Sequence, residues 1–155
     1  MTNIYDIITK IKDHMRANPM VNYVNFGNVL EVALDKTTVF PLTHFNLGRT
    51  TVSDQIMTIS LDFLFLDIVD VTKEYNDTDL GSRDNYSNII DVYNTQLQVA
   101  NYLISHLKRG DLYTDQFQLV GDPVCTPFKD RFEHELAGWA VTLSIEVPNN
   151  ISVCQ

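Results

Sequence analysis

Apolar residues recur at spacings of three and four from Ile4 through Ile7, Ile8 and Ile11 to Met15, a stripe that predicts an amphipathic helix. Thr2 or Asn3 can cap its start, and Asp6 sits in the first turn, where the helix dipole favours a carboxylate. Asn18-Pro19 ends it, because the residue before proline is pushed out of the helical region. From Val21 to Phe45 the pattern shortens into strands. Val21 and Tyr23 come first, Val29 to Leu34 follow the Gly27-Asn28 turn, and Thr37 to Phe40 follow Asp35-Lys36. Pro41 has no N–H donor and suits an edge position or a bulge, and Asn46-Leu47-Gly48-Arg49 reads as a loop.

Between Gln55 and Val71 the period drops to two. Met57, Ile59, Leu61, Phe63, Phe65, Val69 and Val71 share one face, interrupted by Asp67. The opposite face starts polar at Thr58, Ser60 and Asp62 and turns apolar at Leu64, Leu66 and Ile68. A strand from Gln55 to Val69 would span ~50 Å, at ~3.3 Å per residue. A sphere of this chain would be only ~38 Å across, from the radius of gyration expected at its length. The strand must therefore bend or project, and the Leu64, Leu66, Ile68 strip needs a cover from its own chain or from a neighbour. If a neighbour supplies it, Leu66→Asp leaves the monomer folded and abolishes assembly.

Thr72 to Ser87 is polar throughout and predicts a long surface loop. Ile89, Ile90, Tyr93, Leu97, Ala100, Leu103, Ile104 and Leu107 then mark a long helix, capped by Asp84 or Asn85 and closed by Lys108, Arg109 and Gly110. Gln116 to Val120 predicts a short strand ending at Gly121-Asp122-Pro123, and Phe128 to Glu135 is a strand or an irregular turn. Trp139, Val141, Leu143, Ile145 and Val147 alternate with Ala140, Thr142, Ser144 and Glu146 in a final strand that Pro148 stops. The expected fold is α+β. It is a mixed, largely antiparallel sheet with a long β-hairpin and two helices packed on one face, in a single domain over residues 1–155 with a short tail at 148–155.

Composition narrows the function classes. Eleven Lys and Arg against twenty Asp and Glu leave a net charge of −9, which opposes broad binding of nucleic-acid phosphates. Apolar residues form 45% of the chain, enough for a core, yet no run approaches the ~18 residues of a membrane span. The N-terminus shows no basic stretch followed by an apolar one, so neither a membrane nor a secreted protein is expected. Cys125 and Cys154 are too few for a disulfide scaffold and read as reduced thiols, Cys125 as a small apolar filler.

No motif commits the chain to catalysis, and no cofactor or metal is expected. There is no Gly-rich phosphate loop, and His14, His44, His106 and His134 are widely separated. Glu133-His134-Glu135 is the one short cluster with metal or acid–base chemistry, but neighbours on a strand point to opposite faces. Asp62, Asp67, Asp70, Glu74, Asp77, Asp79, Asp84 and Asp91 crowd one stretch, which reads as a solvated surface or a docking surface for a basic partner. Asn76, Asp77 and Asp79 do not match the spacing of the twelve-residue calcium loop.

The order of helix, short strands, long strand, polar loop, long helix and closing strands resembles the tail-terminator or tail-completion proteins of tailed bacteriophages and the related neck ring proteins. Asn88 to Leu107 and the strand Gly138 to Val147 carry most of that likeness. Pro148 to Gln155, with its paired asparagines and late cysteine, is similar to tails of proteins from phages of Bacteroidetes, crAss-like phages included. The resemblance implies a non-enzymatic virion protein, made in the host cytoplasm. Six or twelve copies would form a ring around the DNA channel, between neck, portal-adaptor or tail-tube proteins, with DNA passing without sequence-specific contact. The interface candidates on this reading are Leu64, Leu66, Ile68, Tyr75, Leu80, Arg83 and Tyr86, with the 72–87 loop assigned to contacts between rings. Two other classes remain open. One is a small cytoplasmic enzyme or ligand-binding domain in which Glu133, His134 and Cys125 converge between sheet and helices. The other is an adaptor that docks through the acidic loop.

Overall fold

The computed structural model describes residues 4–27, 40–69, 89–109, 117–131 and 135–149. Helix α1 (Ile4–Arg16) leads to β1 (Tyr23–Phe26), to β2 (Leu42–Val52) and to β3 (Ile56–Ile68). Helix α2 (Ile89–Arg109) follows, then β4 (Gln118–Arg131) and β5 (Glu135–Pro148). The strands form one sheet in the order β1-β2-β3-β5-β4. β1 runs parallel to β2, and every other pair is antiparallel. The architecture is α+β, a mostly antiparallel mixed sheet with two helices packed against it.

The alternation in β3 sets the two faces. Ile59, Leu61, Phe63 and Phe65 are buried, and their cross-strand partners Ile145, Leu143 and Val141 on β5 and Phe45 on β2 lie on the same side. Ile7, Ile11 and Met15 of α1 and Val99, Ala100, Leu103 and Leu107 of α2 complete this core, so both helices cover one face. Phe45 stacks on Phe63 and Phe63 on Phe65, with centroids 5.3 and 5.6 Å apart. Each such side chain taken fully out of water contributes roughly 1.5–3 kcal/mol. Hydrogen bonds near the start of α2 tie it to the sheet. Trp139 Nε1 donates to the Tyr93 carbonyl at 2.8 Å, and the Tyr93 hydroxyl donates to the Phe128 carbonyl at 3.3 Å.

Three local expectations change. Asn46-Leu47-Gly48-Arg49 is not a loop but the middle of β2, where the register slips by one residue and Gly48-Arg49 oppose Ser60 in a bulge. Gly121-Asp122-Pro123 likewise does not end a short strand. It forms a bulge inside the fourteen-residue β4, with Gly121 at φ +68°; β4 runs on through Phe128 to Arg131, and Glu135, the last residue of the second expected piece, opens β5. β3 is thirteen residues long and stops at Ile68, before Val71. Ser53 N donates to Ile56 O at 2.9 Å and closes the long β2–β3 hairpin, whose tip leaves Val52 64% exposed. The expected Val29–Leu34 strand, the 72–87 loop, and residues 150–155 lie outside the described residues.

Candidate functional site

With both described helices on one face, the described residues leave three further surfaces: the opposite face of the sheet and its two lateral edges. The open face divides in two. Around the hairpin it is polar, with Thr58, Ser60 and Asp62 facing Glu146, Ser144 and Thr142, and Thr142 Oγ1 donates to Asp62 Oδ1 at 2.8 Å. Towards the start of β2 it becomes apolar, and a second small core of Leu42, Leu66 and Leu136 is flanked by Phe40, Leu64 and Phe128.

Of the two covers the Leu64, Leu66, Ile68 strip could have, the chain itself supplies the one over Leu66. Leu66 is 2% exposed and Leu64 half-buried, while Ile68 remains 40% exposed. The physical reason is lateral. Leu42 lies opposite Leu66 on β2, Leu136 lies opposite Ile68 on β5, and these neighbours close over Leu66 from both sides. Tyr75, Leu80, Arg83 and Tyr86 lie outside the described residues, as do Glu133, His134 and Cys154.

A cavity of about 350 Å³ opens on the same face between Gly27, His44, Asn46, Asp62, Leu64 and Thr142. His44 is 2% exposed, and its Nε2 donates to the Gly27 carbonyl at 2.9 Å. At the edge of the apolar half, burial pushes the Asp67 carboxyl above its ordinary value, against the partial relief of a bond from Ile68 N.

The two lateral edges differ in kind. At one edge the short β1 lies under α1, with Lys12 Nζ 6.0 Å from the Phe26 ring centroid. Tyr5 on α1 is 84% exposed. At the other edge β4 is long and open, and Pro123 and Pro127 interrupt the row of N–H donors that an added strand would need. Val124 there is 75% exposed. Between β4 and α2 runs a groove of about 440 Å³, floored by Leu97, Ile104, Pro123 and Cys125 and walled by Asn94 and Asn101. Lys108 Nζ closes one end by donating to Asp122 Oδ1 at 2.6 Å. That bond, followed by the ammonium's charge, holds the Asp122 carboxyl below the usual carboxylate range. Burial pushes the Cys125 thiol up, away from the thiolate form that a nucleophile needs.

One contact was hidden by sequence distance. His14 of α1 stacks on Tyr102 of α2 with centroids 4.8 Å apart, and His106 lies 4.5 Å from His14. His106 Nδ1 donates to the Tyr102 carbonyl at 2.8 Å, so the trio fastens the two helices together. Among the described residues no group of three or more His, Cys, Asp or Glu could hold a metal ion. No described helix is long and apolar enough to cross a membrane. No protein-family model matches the chain, and no curated protein matches it.

Proposed function

We propose that this chain is a structural subunit that closes head to tail into a ring, as the resemblance to phage tail-terminator and neck proteins suggests. The observation that carries this reading is the pair of unlike lateral edges: α1 with its exposed Tyr5 over β1, and the α2 groove beside β4. Where two such unlike flanks meet, the contact is heterologous, and heterologous contacts generate rings when the rotation closes. Two-fold dimers need a patch that meets its own copy instead. The net charge of −9 suits a ring around a DNA channel, since a lumen attractive to phosphates would hold the genome back. On this reading the protein is a virion component without catalytic residues or cofactor, in six or twelve copies, flanked by neck, portal-adaptor or tail-tube proteins.

Light scattering over a range of protein concentrations, with negative-stain imaging, tests it. Closed rings of six or twelve support the proposal. Two-fold dimers or open filaments count against it, as does a strict monomer.

A second reading, a small ligand-binding domain, is favoured by the open-face cavity where buried His44 sits near the Asp62–Thr142 pair. A monomer that binds a small polar molecule there, with binding lost in Asp62→Ala, would replace the ring reading.

A further inference from the structure

We infer that the middle of α2 is a release point: around Gln96 the helix parts from the sheet in a local opening that leaves the sheet itself folded. This device belongs to the single chain and holds whether or not rings form.

Gln96 sits at the centre of the stripe that α2 turns to the sheet. Val92 lies four residues before it, and Val99, Ala100 and Leu103 lie three, four and seven after it, all buried. The Gln96 side chain is 0% exposed, and neither its Nε2 nor its Oε1 makes a hydrogen bond. Buried polar groups are nearly always paired, because an amide that leaves water without a new partner forfeits its hydration. Docking α2 therefore carries a cost at its middle turn, and lifting the helix removes it by returning the amide to water. Thr43 Oγ1, opposite Phe65 and so on the helix-covered face, is also buried without a partner. The cost thus lies between helices and sheet, not within the strand pairs.

The adjoining stripe of α2 shows the opposite misfit. Ile90 and Leu97 are 48% and 40% exposed, so the helix holds two large apolar side chains off the sheet while it puts an amide on it. Such a helix gains less from docking than its apolar content offers. The ties of α2 lie towards its ends. Near the start are the Trp139 and Tyr93 bonds, and later come the His14–Tyr102 stack and the Lys108–Asp122 pair. Among the described residues, no side chain of residues 94–101 hydrogen-bonds to the sheet or to α1. The central strands are held better, since β3 is bonded to β2 and β5, and β5 to β3 and β4. Weak side-chain anchorage beside a fully paired sheet is the setting for opening below the global unfolding free energy. A partner that binds the parted state more tightly than the docked one shifts the balance by that difference.

Native-state hydrogen exchange of the full chain in low concentrations of urea tests this, with Gln96→Met as the paired variant. Methionine is unbranched like glutamine, adapts to its surroundings and needs no hydrogen-bond partner. In the parent, the amides of residues 95–101 should be at least about tenfold less protected than those of Leu61, Phe63, Leu143 and Ile145, with a shallower dependence on urea. In Gln96→Met both sets should gain about tenfold in protection, and the melting temperature should rise. If helix and sheet amides in the parent share one protection and one urea dependence, the chain opens only as a whole and the release point falls. If Gln96→Met leaves protection unchanged or lowers it, the amide is satisfied where it sits, and the inference falls as well. Neither result bears on ring formation, which the size measurements decide separately.

Discussion

Leu66 and Gly138 face each other across β3 and β5, and each is fixed by what its neighbour leaves free. A Cβ at Gly138 would come within 1.8 Å of the Phe65 carbonyl oxygen, so strand β5 can approach β3 only with glycine there. Gly138→Ala should destabilise the fold by about 3 kcal/mol in urea titration, because backbone has to move. Gly48→Ala meets the Ser60 side chain at 3.1 Å and the Ser60 carbonyl oxygen at 3.4 Å, and should cost clearly less. Leu66→Asp would place an unpaired charge in the Leu42–Leu136 cluster and should cost about 3–5 kcal/mol, whereas Ile68→Asp, at 40% exposure, should stay folded. The loss of folding in Leu66→Asp reports the chain's own packing and not assembly.

Asp67 gives a further test at this scale. Its folded-state carboxyl is raised by burial, so ionisation works against folding above that value, and the penalty disappears as the pH falls below the unfolded value near 3.8. Asp67→Asn keeps an oxygen for Ile68 N. It should raise the melting temperature at neutral pH and lose that advantage in acid, measured by thermal melts across pH.

Among the elements, α2 and β4 depend on each other. Trp139→Phe removes the indole bond to the Tyr93 carbonyl and should cost about 0.5–1.5 kcal/mol by denaturant titration, with the ring packing kept. Near the C-terminal end of α2 the Lys108–Asp122 pair has the opposite sign from Asp67. Its carboxyl is depressed, so its contribution is complete above the ordinary value of 3.8 and is lost as the pH falls through the lower folded-state value. NMR titration should place the Asp122 midpoint below that of an ordinary aspartate, and Lys108→Met should return it. Because the pair is exposed, salt should weaken it as well. The later parts of β2 and β4, residues 46–52 and 121–131, are the stretches least visible in the sequence. Their bulges place glycine, asparagine and proline inside a ladder, where these residues otherwise announce a turn.

For the molecule as a whole, the balance of coverage decides what it can do. One face carries both helices, the opposite face is wet near the hairpin and closed by leucines at its other half, and the flanks remain different. On the ring reading, size measurements should show assembly that depends on the flanks. Val124→Asp, on the open edge at 75% exposure, should leave stability within about 0.5 kcal/mol in denaturant titration. Its effect on ring formation then separates contacts through the strand from contacts through the groove.

By itself the amino-acid order determined the helices, the long β3 and the alternating β5, because each writes its period into consecutive residues and needs no distant partner to be read. It also determined the net charge of −9. Only the tertiary structure decided that Leu66 is covered, that His14 meets His106, and that β1 and β4 end the described sheet on opposite sides. Each of these depends on which strands lie side by side, and register between distant segments is a property of the folded sheet rather than of any local pattern.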